Sequence, residues 1–424
     1  MIRFLVKGLL RDRHRSLFPI MVVTTGVMLT VFFHCWLTGV FGDIVDTNAR
    51  LSTGHLKAMS RAYARDPDSM PNDLALTGVD SLIRSIQEEF SGIAWTPRIR
   101  FGGLLDAPDE RGDTRAQGPA VGLAVDLLSG DRSETERLAI PKALVRGRLP
   151  EKADEMLISD GLAVRLGVRP GDTLTFLGST MAGGMAMQNF IVAGTVRFGI
   201  SALDRGAMIV DVAAAQRALD MHDAAGEILG YFENGPYDDG RARRTADRFN
   251  ARFGGAPDDF SPTMLSLEEQ NGLAELIGYA SNLSGMLIAV FVSVLSVVLW
   301  NAALIGGLRR YGEVGVRLAI GEDKGHVVRS MILESICIGT AGSVLGTVLG
   351  LGLGFLLQAK GIDAASFTEN ASMMMPTVFR ARVTPLAAGI GFVPGVCSTV
   401  LGTALAGIGV YKRKTSHLFK ELEA

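Results

Sequence analysis

The sequence predicts an α-helical membrane protein with four transmembrane helices and an α+β domain inserted between the first and second. Three observations carry the prediction. Four long apolar segments, 17–41, 282–308, 331–357 and 385–411, stand one and then three around a polar stretch at 42–281. Each exceeds the roughly 20 apolar residues that a helix needs to cross a hydrocarbon core of about 30 Å. None contains Asp, Lys or Arg, and Glu334 is their only acid. Basic residues then collect at three points that a single orientation puts on one side of the membrane.

Those points are the segment 1–16 (Arg3, Lys7, Arg11, Arg13, Arg15), the connection 309–330 (Arg309, Arg310, Arg317, Lys324, Arg329) and the tail 412–424 (Lys412, Arg413, Lys414). Cationic loops stay on the cytoplasmic side, so both termini and 309–330 are expected there. The 42–281 domain and a short connection at 358–384 are expected outside. The first apolar run is too long for the roughly 7–15-residue core of a secretory signal, and no clean cleavage site follows it. It is expected to remain as an anchor.

Composition agrees. The chain is 48% hydrophobic and 20% charged, an average over apolar spans and a middle rich in Asp, Glu and Arg. That middle is long enough for a core of its own, expected as two lobes. A net charge of −2 supplies no bulk basic field for nucleic acid. Cys35, Cys337 and Cys397 all fall in apolar segments, so no disulfide staples the inserted domain.

Along the chain, Gly42-Asp43-Ile44-Val45-Asp46 reads as the first helix running on past the bilayer. A strand is expected at 55–60, a loop at 61–72, a helix at 78–90 and several short strands with Gly/Pro/Asp turns over 93–125. Mixed α and β follow: strands at 155–158, 172–177, 189–196 and 207–210, and a helical turn at 161–166. Asp211 is placed to N-cap a helix at 212–219. Ser266 and Glu269 form a capping-box pattern, and no proline follows before Leu308. A continuous helix from about 267 would be about 60 Å long and would project from the membrane as a stalk. The rival reading is a separate surface helix with a break near Gly278 or Ser281.

In the third apolar segment Gly342, Gly346, Gly350 and Gly354 recur every four residues, a smooth stripe on which another helix backbone can pack. The connection before it carries Glu313, Gly315, Arg317, Ala319 and Gly321. Read physically, it is a short amphipathic helix ended by a glycine turn, fit for the membrane interface or a partner's groove.

On these residues the chain resembles the MacB and LolC/LolE permeases and, more distantly, FtsX. Glu334 matches the acid that opens the family's third span. Gly54-His55-Leu56 resembles the Lol-type Gly-His strand, and Gly147-Arg148-Leu149-Pro150, Gly171-Asp172 and Phe190-Ile191-Val192-Ala193-Gly194 resemble the family's core-domain run. The tail from Tyr411 departs from the family ending.

The resemblance implies the permease subunit of an ABC transporter of the mechanotransmission type in a bacterial inner membrane, with the α+β domain periplasmic. Two such chains, identical or homologous, would bind two copies of a separate ATPase through Glu313, Gly315, Arg317, Ala319 and Gly321. ATP and magnesium would sit on that partner, because no G-x-x-x-x-G-K-[ST] loop occurs here. Cofactor, metal and catalytic roles are expected of no residue on this chain. The task it implies is extraction or hand-over of a lipoprotein or other amphiphile, with a periplasmic carrier as a further partner. The alternative is an FtsX-like regulator that activates cell-wall hydrolases or senses peptides without transport.

Individual residues keep more than one reading. Glu313 and Arg317 are either a solvated i,i+4 pair or a contact for the ATPase. Glu334 is either paired with Arg310 or Arg329, or couples chains during motion. His34 is expected to hydrogen-bond a neighbouring helix. Met181, Met185 and Met187, with Met373, Met374 and Met375, suit greasy cargo, plain gap filling or copper(I).

Overall fold

The computed structural model describes residues 13–109, 111–129, 133–233, 237–255, 258–270, 272–363 and 378–412. The chain divides into two compact units, one holding the apolar helices and the other Ile44–Glu275.

Among the described residues, four helices of the first unit are long and apolar enough to cross a membrane. They are Arg13–Asn48, Leu273–Ala319, Lys324–Lys360, and a fourth built of Pro385–Ile390 and Phe392–Lys412. The break in the fourth has a local cause. Pro394 has no N–H to offer the carbonyl of Ile390, so the helix ladder lapses one turn before it. Small residues bring the helices together. On the first, Val23, Val27, Val31 and Cys35 recur every four residues and are fully buried. A Cβ on Gly26 would meet Leu295 of the second helix at 2.5 Å, and one on Gly402 of the fourth would meet the Ser296 carbonyl at 3.1 Å. The opposite faces, such as Val290, Val294 and Val297, are apolar and exposed, as lipid requires.

The second unit is built on twelve strands: β1 Leu56–Ser60, β2 Leu76–Thr77, β3 Ile93–Pro108, β4 Thr114–Val125, β5 Leu144–Gly147, β6 Glu155–Ser159, β7 Thr173–Ser179, β8 Met185–Val196, β9 Ala207–Asp211, β10 Ala224–Ala225, β11 Glu227–Phe232 and β12 Pro262–Ser266. β1, the helix Val79–Glu89 and β3 form one βαβ half. β11, the helix Asp239–Phe253 and β12 form the other. The four strands lie in the order β12–β1–β11–β3 and all pairs are antiparallel. This is the split-βαβ, ferredoxin-like arrangement, with a long insertion between its second and third strands.

The insertion closes on itself. β3 pairs β4, β4 pairs β9, β9 pairs β6, β6 pairs β8, β8 pairs β7, and β7 returns to β3. Ring closure removes the sheet edges that would otherwise need cover. β3 belongs to both sheets. Arg98 is its last residue paired with β11, and Ile99 is its first paired with β4. One hydrophobic cluster accordingly runs through both, from Leu56 and Phe249 to Leu105, Phe176 and Phe190. The two lobes expected from sequence share a strand and a core.

Two other expectations change. The segment 93–125 forms two long strands, of 16 and 12 residues, rather than several short ones. Its glycines make room for rings instead of turning the chain: a Cβ on Gly122 would lie 2.2 Å from the Phe101 ring, and one on Gly103 would lie 2.4 Å from Phe176. The capping box at Ser266 is present, with Ser266 N donating to Glu269 Oε2 at 2.8 Å. Yet it opens only the 3-10 turn Leu267–Glu269. Gly272 then takes φ +66°, and the α-helix starts at Leu273 rather than near 267. From there it runs unbroken through Gly278 and Ser281 for 47 residues, about 70 Å at roughly 1.5 Å per residue.

The face of the ferredoxin-like sheet away from its two helices is polar and buried. Lys57 Nζ on β1 lies 3.1 Å from Glu227 Oε1 on β11, with side chains 3% and 1% exposed. Burial lowers the Lys57 ammonium pKa, and the Glu227 carboxylate opposes that shift.

Candidate functional site

The sequence predicts a separate short helix in the connection between the second and third spanning helices. In the structure, Glu313, Gly315, Arg317 and Ala319 lie instead on the last turns of the second spanning helix, which ends at Ala319. Gly312 and Gly315 lower helix propensity without breaking the hydrogen-bond ladder. The turn comes at Gly321, whose φ of +96° suits glycine. Asp323 then caps the third helix, its carboxylate accepting from Gly325 N at 2.9 Å. The result is a helix–elbow–helix. Val316 on the last turn and Ile320 just past the helix end, its N–H donating to Val316 O at 3.0 Å, are both exposed, Ile320 at 81%. Apolar side chains so displayed beside a tight turn form a compact knob for a complementary groove.

Gly342, Gly346, Gly350 and Gly354 are all buried and form one seam of the third helix. The helix packed on the first three is the first. A Cβ on Gly342 would meet Val23 at 2.7 Å, one on Gly346 the Thr24 carbonyl at 2.6 Å, and one on Gly350 the Val31 Cβ at 2.8 Å. At Gly354 the neighbours are Val383 and Cys35, at 3.3 and 3.4 Å. The valine stripe of one helix therefore sits in the glycine groove of the other. Beside this seam His34 Nδ1 lies 2.9 Å from Ser284 Oγ, tying the first helix to the second. Glu334 lies half-buried on the third helix.

The methionines separate. Met373, Met374 and Met375 lie outside the described residues. Met181 packs against the domain core, its N–H donating to the Leu219 carbonyl at 2.7 Å. Met185 and Met187 belong to β8 rather than to a loop, and alternation on the strand turns both outward, 80% and 64% exposed. Register supplies their neighbours. Met187 pairs Leu177 of β7, Leu177 pairs Leu104 of β3, and Leu104 pairs Pro119 of β4. Leu104 and Val121 are each 43% exposed. The next row is polar, with Gln117, Asp106, Thr175 and Asn189 in register and Thr175 Oγ1 donating to Asn189 Oδ1 at 2.9 Å. An apolar strip thus crosses four strands on the barrel's outside, bounded by two amides, a hydroxyl and the Asp106 carboxylate. Leu104, Leu177, Pro119 and Val121 were not among the sequence-derived site residues, because only strand register brings them beside the methionines.

Two of the family-like motifs serve the fold. His55 Nδ1 accepts from Phe232 N at 3.0 Å, with its ring against Tyr231, Phe232 and Tyr237. Burial lowers its pKa, consistent with a neutral acceptor nitrogen. In the Gly147–Pro150 run, Arg148 Nη1 and Nη2 donate to Glu155 Oε2 and Oε1 at 2.8 and 2.5 Å. This fork holds the Glu155 carboxyl at about 2, helped by the N–H of Glu151.

Comparison with known proteins follows the helical geometry. Residues 285–415 match the family described as FtsX-like permease C-terminal, a stretch that takes in the elbow and the last three spans. The macrolide export ATP-binding/permease protein MacB of Wolinella succinogenes is 28% identical over 151 residues, 34% of this chain and 20% of that protein. MacB of Hyphomonas neptunium is 29% identical over 143 residues, 34% of this chain and 18% of that protein. The pyoverdine export ATP-binding/permease protein PvdT of Pseudomonas savastanoi pv. phaseolicola is 29% identical over 112 residues, 26% of this chain and 16% of that protein. The matches thus span a fifth or less of these relatives' lengths. Among solved structures, the periplasmic region of MacB from Actinobacillus actinomycetemcomitans aligns with a TM-score of 0.36 at 12% identity, covering 54% of this chain and 96% of that one. Residues 285–415 are thus an FtsX-like permease segment, and over about a third of its length the chain is similar to MacB permeases.

Proposed function

We propose that this chain is the membrane subunit of an ABC transporter complex that relays ATP-driven motion of a separate ATPase to its extramembrane domain. There it extracts or hands on an amphiphilic substrate that need not cross the bilayer. The observation that carries the reading is the elbow at Gly321 inside the family-matched segment: the unbroken helix Leu273–Ala319 ends at an exposed apolar turn. Two copies of the ATPase, holding ATP and magnesium, engage Glu313, Gly315, Arg317, Ala319 and Gly321 on two permease chains, identical or homologous. The termini and the elbow are cytoplasmic, the inserted domain periplasmic, and the membrane the inner one, as the Arg/Lys distribution supports.

The strip of Met185, Met187, Leu104 and Leu177 is the substrate-facing surface. Its uncharged, pliable side chains suit an acyl chain or a greasy macrocycle. A lipoprotein is the substrate that the Gly54-His55 resemblance favours, and the relatives named for macrolide and pyoverdine export extend the class to exported small molecules. A photo-crosslinker at Met187, in membranes turning over ATP, tests the reading. Capture of an acylated or amphiphilic molecule supports it. Labelling confined to peptidoglycan hydrolases would favour the FtsX-like regulator instead.

A further inference from the structure

We propose that Arg98 is a positioning residue that anchors the end of the first spanning helix to the point where the two extramembrane sheets meet, whereas the second spanning helix opens from a backbone turn at Gly272. The first spanning helix continues past Asn48 as a π-helical turn, Ala49–Thr53. Its last carbonyls have no partner within the helix and carry the negative end of the helix dipole. Arg98, 1% exposed, answers both needs. Nη1 donates to Leu51 O and Nη2 to Arg50 O, each at 3.0 Å. The same Nη2 donates to Glu134 Oε2 at 3.0 Å, so the buried cation is balanced. The Tyr231 hydroxyl lies 3.2 Å from Ala49 O, and the Arg137 guanidinium, paired with Glu134, stacks over the Tyr231 ring at 4.0 Å.

The place of Arg98 on β3 matters as much as its bonds. It is the residue at which β3 passes from the ferredoxin-like sheet to the barrel. A pull on the chain at Asn48 therefore enters both sheets at once, through charge-assisted hydrogen bonds of the strong class. The other joint is built differently. Gly272 has φ +66°, and a Cβ there would meet nothing within 4 Å; the next residue, Leu273, is buried, and its N–H donates to Gln270 O at 3.0 Å. One joint is fastened by a buried cation, the other by a backbone turn.

The purpose of this asymmetry rests on the relay reading above, but the anchor itself is measurable without ATP or cargo. Amide exchange on the full-length chain in nanodiscs should show Gly54, whose N–H donates to Ala49 O at 2.9 Å, strongly protected, and residues 272, 274 and 275 exchanging fast. Arg98→Lys should speed Gly54 exchange roughly tenfold, and Tyr231→Phe, a milder change that spares the buried charges, about threefold. Exchange in the β7–β8 hairpin should stay unchanged in both. Equal exchange at the two joints in the wild type, or unchanged Gly54 exchange in both variants, overturns the anchor. With the ATPase present, Arg98→Lys should also lower substrate released per ATP hydrolysed; faster exchange with unaltered release would make Arg98 merely structural and overturn its positioning role. A wild-type complex with no ATP-linked release would be a failure of the relay reading, visible before any variant is compared, and the exchange contrast would then decide the anchor alone.

Discussion

Val27 of the first spanning helix seats against Gly346 of the third, where an added Cβ would come within 2.7 Å of the Val27 Cβ and 2.6 Å of the Thr24 carbonyl oxygen. The carbonyl belongs to a helix backbone and cannot give way as a side-chain tip would. Gly346→Val should therefore cost about 1–3 kcal/mol, the usual range for overpacking. Gly352→Val, where a Cβ meets nothing within 4 Å, is the matched control. Thermal unfolding of the full chain in detergent should separate the two, and equal midpoints would remove the seam from the account of helix packing.

The elbow leads to a functional prediction. Gly321 holds φ +96°, and a β-branched residue there costs roughly 1–2 kcal/mol in a left-handed conformation. Gly321→Val should re-aim Val316 and Ile320 and reduce stimulation of the partner ATPase about tenfold, equivalent to about 1.4 kcal/mol of coupling. Glu313→Ala should act in the same direction. Membrane insertion should be unaffected. Wild-type stimulation in both variants would exclude this segment as the ATPase contact.

Lys57 and Glu227 make a pair whose halves depend on each other. Glu227→Leu strands a buried ammonium and should cost about 3–5 kcal/mol. Combining it with Lys57→Met should recover most of that loss, since apolar residues of similar volume replace buried pairs at little cost. Urea unfolding followed by near-ultraviolet circular dichroism would measure the cycle. Additive losses would mean that Arg100, 3.6 Å from the same carboxylate, is the partner that counts.

Acid should find the Glu155–Arg148 fork. The folded carboxyl sits at about 2, against about 4.3 for an unperturbed glutamate. A carboxylate held below its unfolded value stabilises the fold above that value, and the contribution is lost as pH falls from about 4.3 towards 2. Glu155→Gln should lower stability at neutral pH and flatten the acid limb in this window. Parallel acid limbs for wild type and variant would show that the fork does not hold the carboxyl down.

Much of this architecture is legible in the residues. Apolar runs of membrane length mark the four spans, because lipid demands that composition over that distance. Ser159, Asp211 and Asp323 each cap a helix as their residue types suggest, since a cap is a contact over two or three residues. The helix Val79–Glu89 and most strands begin and end within a few residues of their hydrophobic pattern. Misreadings fall where local signals conflict with remote packing. The glycines of β3 and β4 look like turns, but they clear space for Phe101 and Phe176 from elsewhere in the barrel. The capping box at Ser266 looks like the start of a stalk, but Gly272 restarts the helix.

Sequence alone determined what depends on short range: which segments are long and apolar enough to cross a membrane, where basic residues cluster along the chain, and which residues turn or cap it. Tertiary structure alone decided who meets whom. That Val23, Val27 and Val31 fill the glycine groove, that Met187 stands in line with Leu177, Leu104 and Pro119, and that Arg98 closes the end of the first helix all depend on pairings across long stretches of chain. The physical reason is that register and helix facing are set by the summed burial of a whole core. No single residue carries that sum in its own neighbourhood.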